Sequence, residues 1–91
     1  MVPYEVPYVY MSKIDKILQK MRDNPRDWRI EDIKTLAKRY EIDYRQPGSS
    51  HVTFRFSNSE KLTIPAHKPV KPIYIQKFIN LLDAHIGGIY E

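Results

Sequence analysis

Between residues 42 and 65 the sequence leaves helical spacing for strict alternation, and this change limits the possible folds more than any other feature. Val52, Phe54 and Phe56 are apolar, while His51, Thr53 and Arg55 are polar. Ile42 and Tyr44 alternate with Asp43 and Arg45 in the same way, and Leu62 and Ile64 with Lys61 and Thr63. Successive side chains of a strand point to opposite faces, so each segment buries one face and wets the other. Turn residues separate the segments: Pro47-Gly48-Ser49-Ser50 first, then a Ser/Asn stretch after Phe56. The spacing predicts three strands, at 42–46, 51–56 and 61–65, paired as an antiparallel meander.

The flanking segments carry helical spacing. Ser12 is a helix cap with Asp15 as its partner three residues on. Ile14, Ile17, Leu18 and Met21 then form one apolar stripe that ends before Asn24-Pro25. A second helix is expected at about 30–40, with Ile30, Ile33, Leu36, Ala37 and Tyr40 inward. Its expected cap is Asp27 or a close neighbour, and Glu31 and Asp32 suit its first turn. After Pro65, Pro69 and Pro72 a last helix is expected at about 72–85, with Ile75, Phe78, Ile79, Leu82 and Ile86 buried. Gly87-Gly88 is expected to stop it in a left-handed turn. His85 is expected to face the final carbonyls.

The fold class is therefore α+β: helices covering one face of a three-stranded antiparallel sheet, in the order α-α-β-β-β-α. A chain of 91 residues holds one small domain. Residues 1–11, with a repeated Val-Pro-Tyr, read as a non-helical N-terminal arm, and residues 12–91 as a single domain. Within it, 12–22 is an extra helix and 28–86 the core. Met11 is read as the natural start, the alternative being that the arm's tyrosines dock on a partner.

Cysteine is absent, which removes disulfides, thiol chemistry and thiolate-bound zinc. No apolar run has the length of a bilayer span, and no secretion signal opens the chain, so the expected location is the cytoplasm. The net charge of +4 is unevenly placed. Residues 1–43 hold nine Lys/Arg against eight Asp/Glu; residues 44–82 hold six (Arg45, Arg55, Lys61, Lys68, Lys71, Lys77) against Glu60 alone. A localised basic surface points to a polyanion, most commonly a nucleic acid.

Parity turns His51 away from the core side of its strand. Register then gathers its neighbours, because opposed residues share a face. Pairing Phe56 with Leu62 and Phe54 with Ile64 would bring His67 opposite His51. Pairing Tyr44 with Val52 would set Arg45 opposite His51. Thr53, Arg55, Lys61 and Thr63 would lie on the same side. A histidine titrating near neutrality can take the proton of a ribose 2′-hydroxyl, and Arg or Lys can stabilise charge developing on phosphate. The Gly48-Ser49-Ser50 turn offers close approach and further donors. The three histidines, 16 and 18 residues apart, lack metal-ligand spacing, and no dinucleotide or Walker loop is present.

GSSHVTF followed by KLTIPAHKPVKPIYIQKFINLL resembles the HicA toxins, bacterial mRNA interferases of type II toxin–antitoxin pairs. The resemblance covers about residues 28–83, and NPRDWRIEDI resembles the entry of a longer branch. It implies a core like that of double-stranded-RNA-binding domains, and an endoribonuclease needing no metal or other cofactor. His51 is then the catalytic histidine, and Gly48 with Ser49 or Ser50 the family's turn. RNA contacts would come from Arg45, Gly48, Ser49, Ser50, Thr53, Arg55, Lys61, His67, Lys68 and Lys71, His67 being either functional or structural. The implied partners are mRNA and a HicB-type antitoxin that covers the active face, with no membrane. The extra helix at 12–21 departs from the shortest members. Two other readings compete: a non-catalytic RNA-binding module of the same fold, and an interaction protein whose basic face binds an acidic protein.

Overall fold

The computed structural model describes residues 12–90. The arm expected over residues 1–11 and its proposed start at Met11 lie outside the described residues. The elements run α1 (Lys13–Asp23), α2 (Ile30–Arg39), β1 (Asp43–Arg45), β2 (His51–Arg55), β3 (Lys61–Pro65) and α3 (Pro72–Tyr90). The three strands form one antiparallel sheet in the order β1-β2-β3. The expected α+β class and element order are both observed. Among the described residues no helix is long and apolar enough to cross a membrane.

The core lies between the helices and one sheet face. Val52, Phe54, Phe56 and Ile64 meet Ile33 and Leu36 of α2 and Ile75, Phe78 and Leu82 of α3, all buried. Phe54 is the centre of this layer: its ring meets Phe78 edge-on at 5.3 Å and Tyr44 at 5.6 Å. Burial of such a side chain is worth about 1.5–3 kcal/mol, so the alternation of β2 sets which way the sheet faces.

Helix α1 is part of the same body. Ser12 and Asp15 form the expected capping box, the Asp15 N–H donating to Ser12 Oγ at 3.0 Å. Tyr40 Oη donates to Asp15 Oδ1 at 3.1 Å, and Arg22 grips Asp83 of α3 with two guanidinium nitrogens. Leu18 and Met21 are buried against the core. At α2 the cap is Arg29, not Asp27. Asp27 sits two residues earlier with φ 66°, and Asp32 Oδ2 accepts the Arg29 N–H at 2.9 Å.

Two expectations about α3 fail. The glycines do not stop α3, which continues to Tyr90. No described glycine has a positive φ, so the left-handed turn is not formed. His85 is no surface partner of final carbonyls either. It is buried, with Nδ1 accepting Ser57 N–H at 3.0 Å and Nε2 2.8 Å from Tyr40 O. A carbonyl only accepts, so Nε2 carries the proton and the ring ties α3 to the β2–β3 turn and to the end of α2.

The expected strand register is wrong by two residues on both sides of β2. β3 pairs Phe54 with Leu62 and Val52 with Ile64, and His51 faces Pro65. The cause is a tight turn: Phe56 N–H bonds Glu60 O at 2.9 Å, Ser59 N–H bonds Phe56 O at 3.1 Å, and Ser59 takes φ 68°. A three-residue loop of this kind ends on a left-handed residue and closes sooner than the expected one. On the other side, β1 pairs Tyr44 with Phe54 and Arg45 with Thr53. A slip of two preserves parity, so every expected face assignment survives.

Candidate functional site

The helix-free face carries three rows of opposed residues. Asp43, Arg55 and Lys61 form the first row, and Arg45, Thr53 and Thr63 the second. In the third, His51 is paired only with Pro65, because β1 has ended. His51 thus stands on a two-stranded extension of the sheet. Arg45, expected directly opposite, is a diagonal neighbour, which on adjacent strands means about 7–8 Å.

The turn before His51 is braced from the helical layer. Lys34 Nζ of α2 donates to Gln46 Oε1, and Gln46 Nε2 donates to the Ser49 carbonyl at 3.2 Å. Lys34 also lies over the Tyr44 ring, 5.6 Å from its centroid. These bonds draw Gln46 into the 46–50 loop instead of the ladder. Gln46 and Lys34 were not among the sequence candidates; only a tertiary contact distinguishes them from ordinary surface residues. Gly48 is exposed, and a Cβ added there would meet nothing within 4 Å. Its small size leaves an open approach and answers no need of the fold.

His51 is exposed, with Nδ1 3.2 Å from Ser50 Oγ. When Nδ1–H donates to that hydroxyl, Nε2 presents its lone pair to solvent, the tautomer a general base requires. At the centre of the face the Thr53 and Thr63 hydroxyls lie 2.8 Å apart. Arg45, Arg55 and Lys61 are exposed and make no ion pair with the described residues. Asp43, Tyr44, Arg45, Thr53 and Arg55 line a shallow depression of about 320 Å³. Among the described residues of these rows Asp43 is the one acid, on the face that alternation assigns it.

The remaining candidates spread along the connector. Ala66 N–H bonds the Ser50 carbonyl at 2.8 Å, one step past β3, which brings the chain at His67 alongside the 48–50 turn. His67 is therefore beside Ser49 in the continued register, not opposite His51. Lys68 lines a separate depression with Asp27, Arg29 and Pro69, and Lys71 opens the first turn of α3, its carbonyl accepting Tyr74 N–H at 2.9 Å. Among the described residues no three His, Asp or Glu side chains gather as a metal site.

No family model, curated protein or solved structure matches this chain.

Proposed function

We propose that the chain is an RNA-cleaving toxin of the HicA type, a metal-independent endoribonuclease acting on mRNA and held inactive by a HicB-type antitoxin in the bacterial cytoplasm. The observation that carries this reading is His51. It is exposed at the open end of a basic, helix-free sheet face, with Nδ1 engaged by Ser50 and Nε2 free.

The chemistry is an internal transesterification. His51 Nε2 takes the proton of a ribose 2′-hydroxyl, and the 2′-oxygen forms a bond to the adjacent phosphorus. The P–O5′ bond breaks, and the 5′-oxygen leaves after taking a proton. The products are a 2′,3′-cyclic phosphate and a 5′-hydroxyl. General-base help of this kind is worth about 10²–10⁴ in rate. Lys61 lies two rows from His51, about 13 Å along the sheet, which favours His67 or water as the donor of that proton. Arg45, next to the His51 row, is suited to the charge that develops on the phosphate oxygens.

The element order and the helix-free face support a core like that of double-stranded-RNA-binding domains. The same open face is the surface an antitoxin would cover. Induction of wild type and His51→Ala in bacteria, followed by growth and mRNA integrity, tests the reading. Growth arrest with mRNA loss is expected only for wild type. Unchanged arrest in the variant refutes the catalytic role, and RNA binding without cleavage by wild type favours the non-catalytic RNA-binding module.

A further inference from the structure

The Thr53–Thr63 pair is unexplained by packing. Thr63 is exposed, Thr53 half-buried, and their hydroxyls bond each other across β2 and β3 at 2.8 Å. In such a pair one O–H is spent internally, whereas the hydrogen of the accepting hydroxyl remains available. No other hydrogen bond in the described chain uses it. One outward donor therefore sits at the middle of the face.

Cations ring that donor. Arg45 is directly opposite Thr53 on β1, Arg55 is two residues along β2, and Lys61 is two residues before Thr63 on β3. Arg55 and Lys61 are themselves directly opposed. Like charges in that position destabilise a sheet, a cost that a bound anion removes. Asp43, opposite Arg55 from β1, closes that corner to an anion. The free path runs from Lys61 and Arg55, past the threonine pair, to His51. Rows along β2 are about 6.7 Å apart, close to the step between successive phosphates of an extended strand.

We infer that the Thr53–Thr63 hydroxyl pair, with Arg45, is a phosphate subsite for the nucleotide next to the one attacked at His51, on a single RNA strand lying along β2. This rests on the RNA-cleaving reading for the identity of the ligand. The contacts are to phosphate, so binding is indifferent to base and falls with salt. Neutralising about three phosphates of a single strand gives a log–log salt slope of about −2.

The test uses the full chain and thymidine oligomers, which lack the 2′-hydroxyl and cannot be cleaved. In an NMR titration, amides of Arg45, Thr53 and Thr63 are expected to shift, and affinity to rise up to an oligomer of three phosphates and then level off. The Thr53→Val/Thr63→Val double variant keeps shape and strand preference and removes both hydroxyls together. It is expected to bind about tenfold more weakly, the scale of a hydrogen bond to a charged group. With cleavable RNA it raises KM by a similar factor and changes kcat little. Arg45→Gln is expected to weaken oligomer binding as well. Wild-type affinity in the double variant, or shifts confined to α2 and α3, overturns the subsite. Oligomer binding at the threonines with no RNA cleavage by wild type keeps the subsite and removes the nuclease. Cleavage by wild type with unchanged KM in the double variant does the reverse.

Discussion

His85 Nε2 stands 2.8 Å from the carbonyl oxygen of Tyr40, forty-five residues away in sequence. The same ring receives Ser57 N–H at 3.0 Å and meets Phe56 edge-on at 6.2 Å. One side chain of α3 thus fixes the end of α2 and the start of the β2–β3 turn. Replacing His85 with Phe keeps the aromatic contact and leaves one donor and one acceptor without a partner. The expected loss is about 2 kcal/mol, read from denaturant midpoints.

Ser59 holds φ 68° in the turn that sets the β2–β3 register. A residue with a Cβ is strained there, and glycine is not. Ser59→Gly is expected to stabilise by about 0.5–1 kcal/mol, part of the relief being offset by the freer unfolded chain. Ser59→Val is expected to destabilise. Thermal melts of the two variants should move in opposite directions.

The Arg22–Asp83 pair predicts a pH dependence. The hydrogen bond from Arg22 outweighs partial burial and holds the Asp83 carboxyl below its ordinary 3.8. A carboxyl depressed in the folded state binds fewer protons there than in the unfolded chain. Its contribution is therefore complete above about pH 4 and is lost as the pH falls through the folded value. Both partners are substantially exposed, so the contribution is at most about 1 kcal/mol. Asp83→Asn should be less stable than wild type at neutral pH and converge with it in acid, measured by urea midpoints across pH 2–7.

Much of this was legible because parity is robust. The side-chain period of two fixed the faces of His51, Thr53, Arg55 and Lys61 even though both registers were set two residues off. Register depends on turn geometry, and Ser57-Asn58-Ser59 reaches its left-handed position without the glycine that usually announces it. Gly87-Gly88 misled in the opposite sense, since glycine permits a left-handed stop without imposing one. His85 had a usable signal. It lies three residues after Leu82 and seven after Phe78, so it continues the buried stripe of α3. The Gln46 brace had none, because its two partners come from different elements.

That brace carries its own prediction. Gln46 holds the Ser49 carbonyl and is held by Lys34, so one side-chain amide ties the turn presenting Ser50 and His51 to the helical layer. In the proposed nuclease, Gln46→Ala should lower kcat/KM about fivefold, the scale of about 1 kcal/mol for one hydrogen bond. Global stability should change by less than that amount, because the loop is outside the core. Comparing single-turnover cleavage with denaturant midpoints separates the two effects.

Ser50→Ala addresses the tautomer. Loss of the Nδ1 partner leaves the imidazole free to carry its proton on either nitrogen. Cleavage should slow severalfold with KM nearly unchanged, and the ¹⁵N shifts of the His51 ring should move toward a tautomer mixture.

The two ends of β2 answer to different masters. Just past Arg55 the chain is bolted to the helical layer through Ser57 and His85; at His51 the strand runs out past its neighbour and meets only β3. Changes that harden or soften the bolted end leave the projecting end's surroundings untouched. A lineage carrying this scaffold can therefore adjust its durability and retune its chemistry as separate traits, on one five-residue strand.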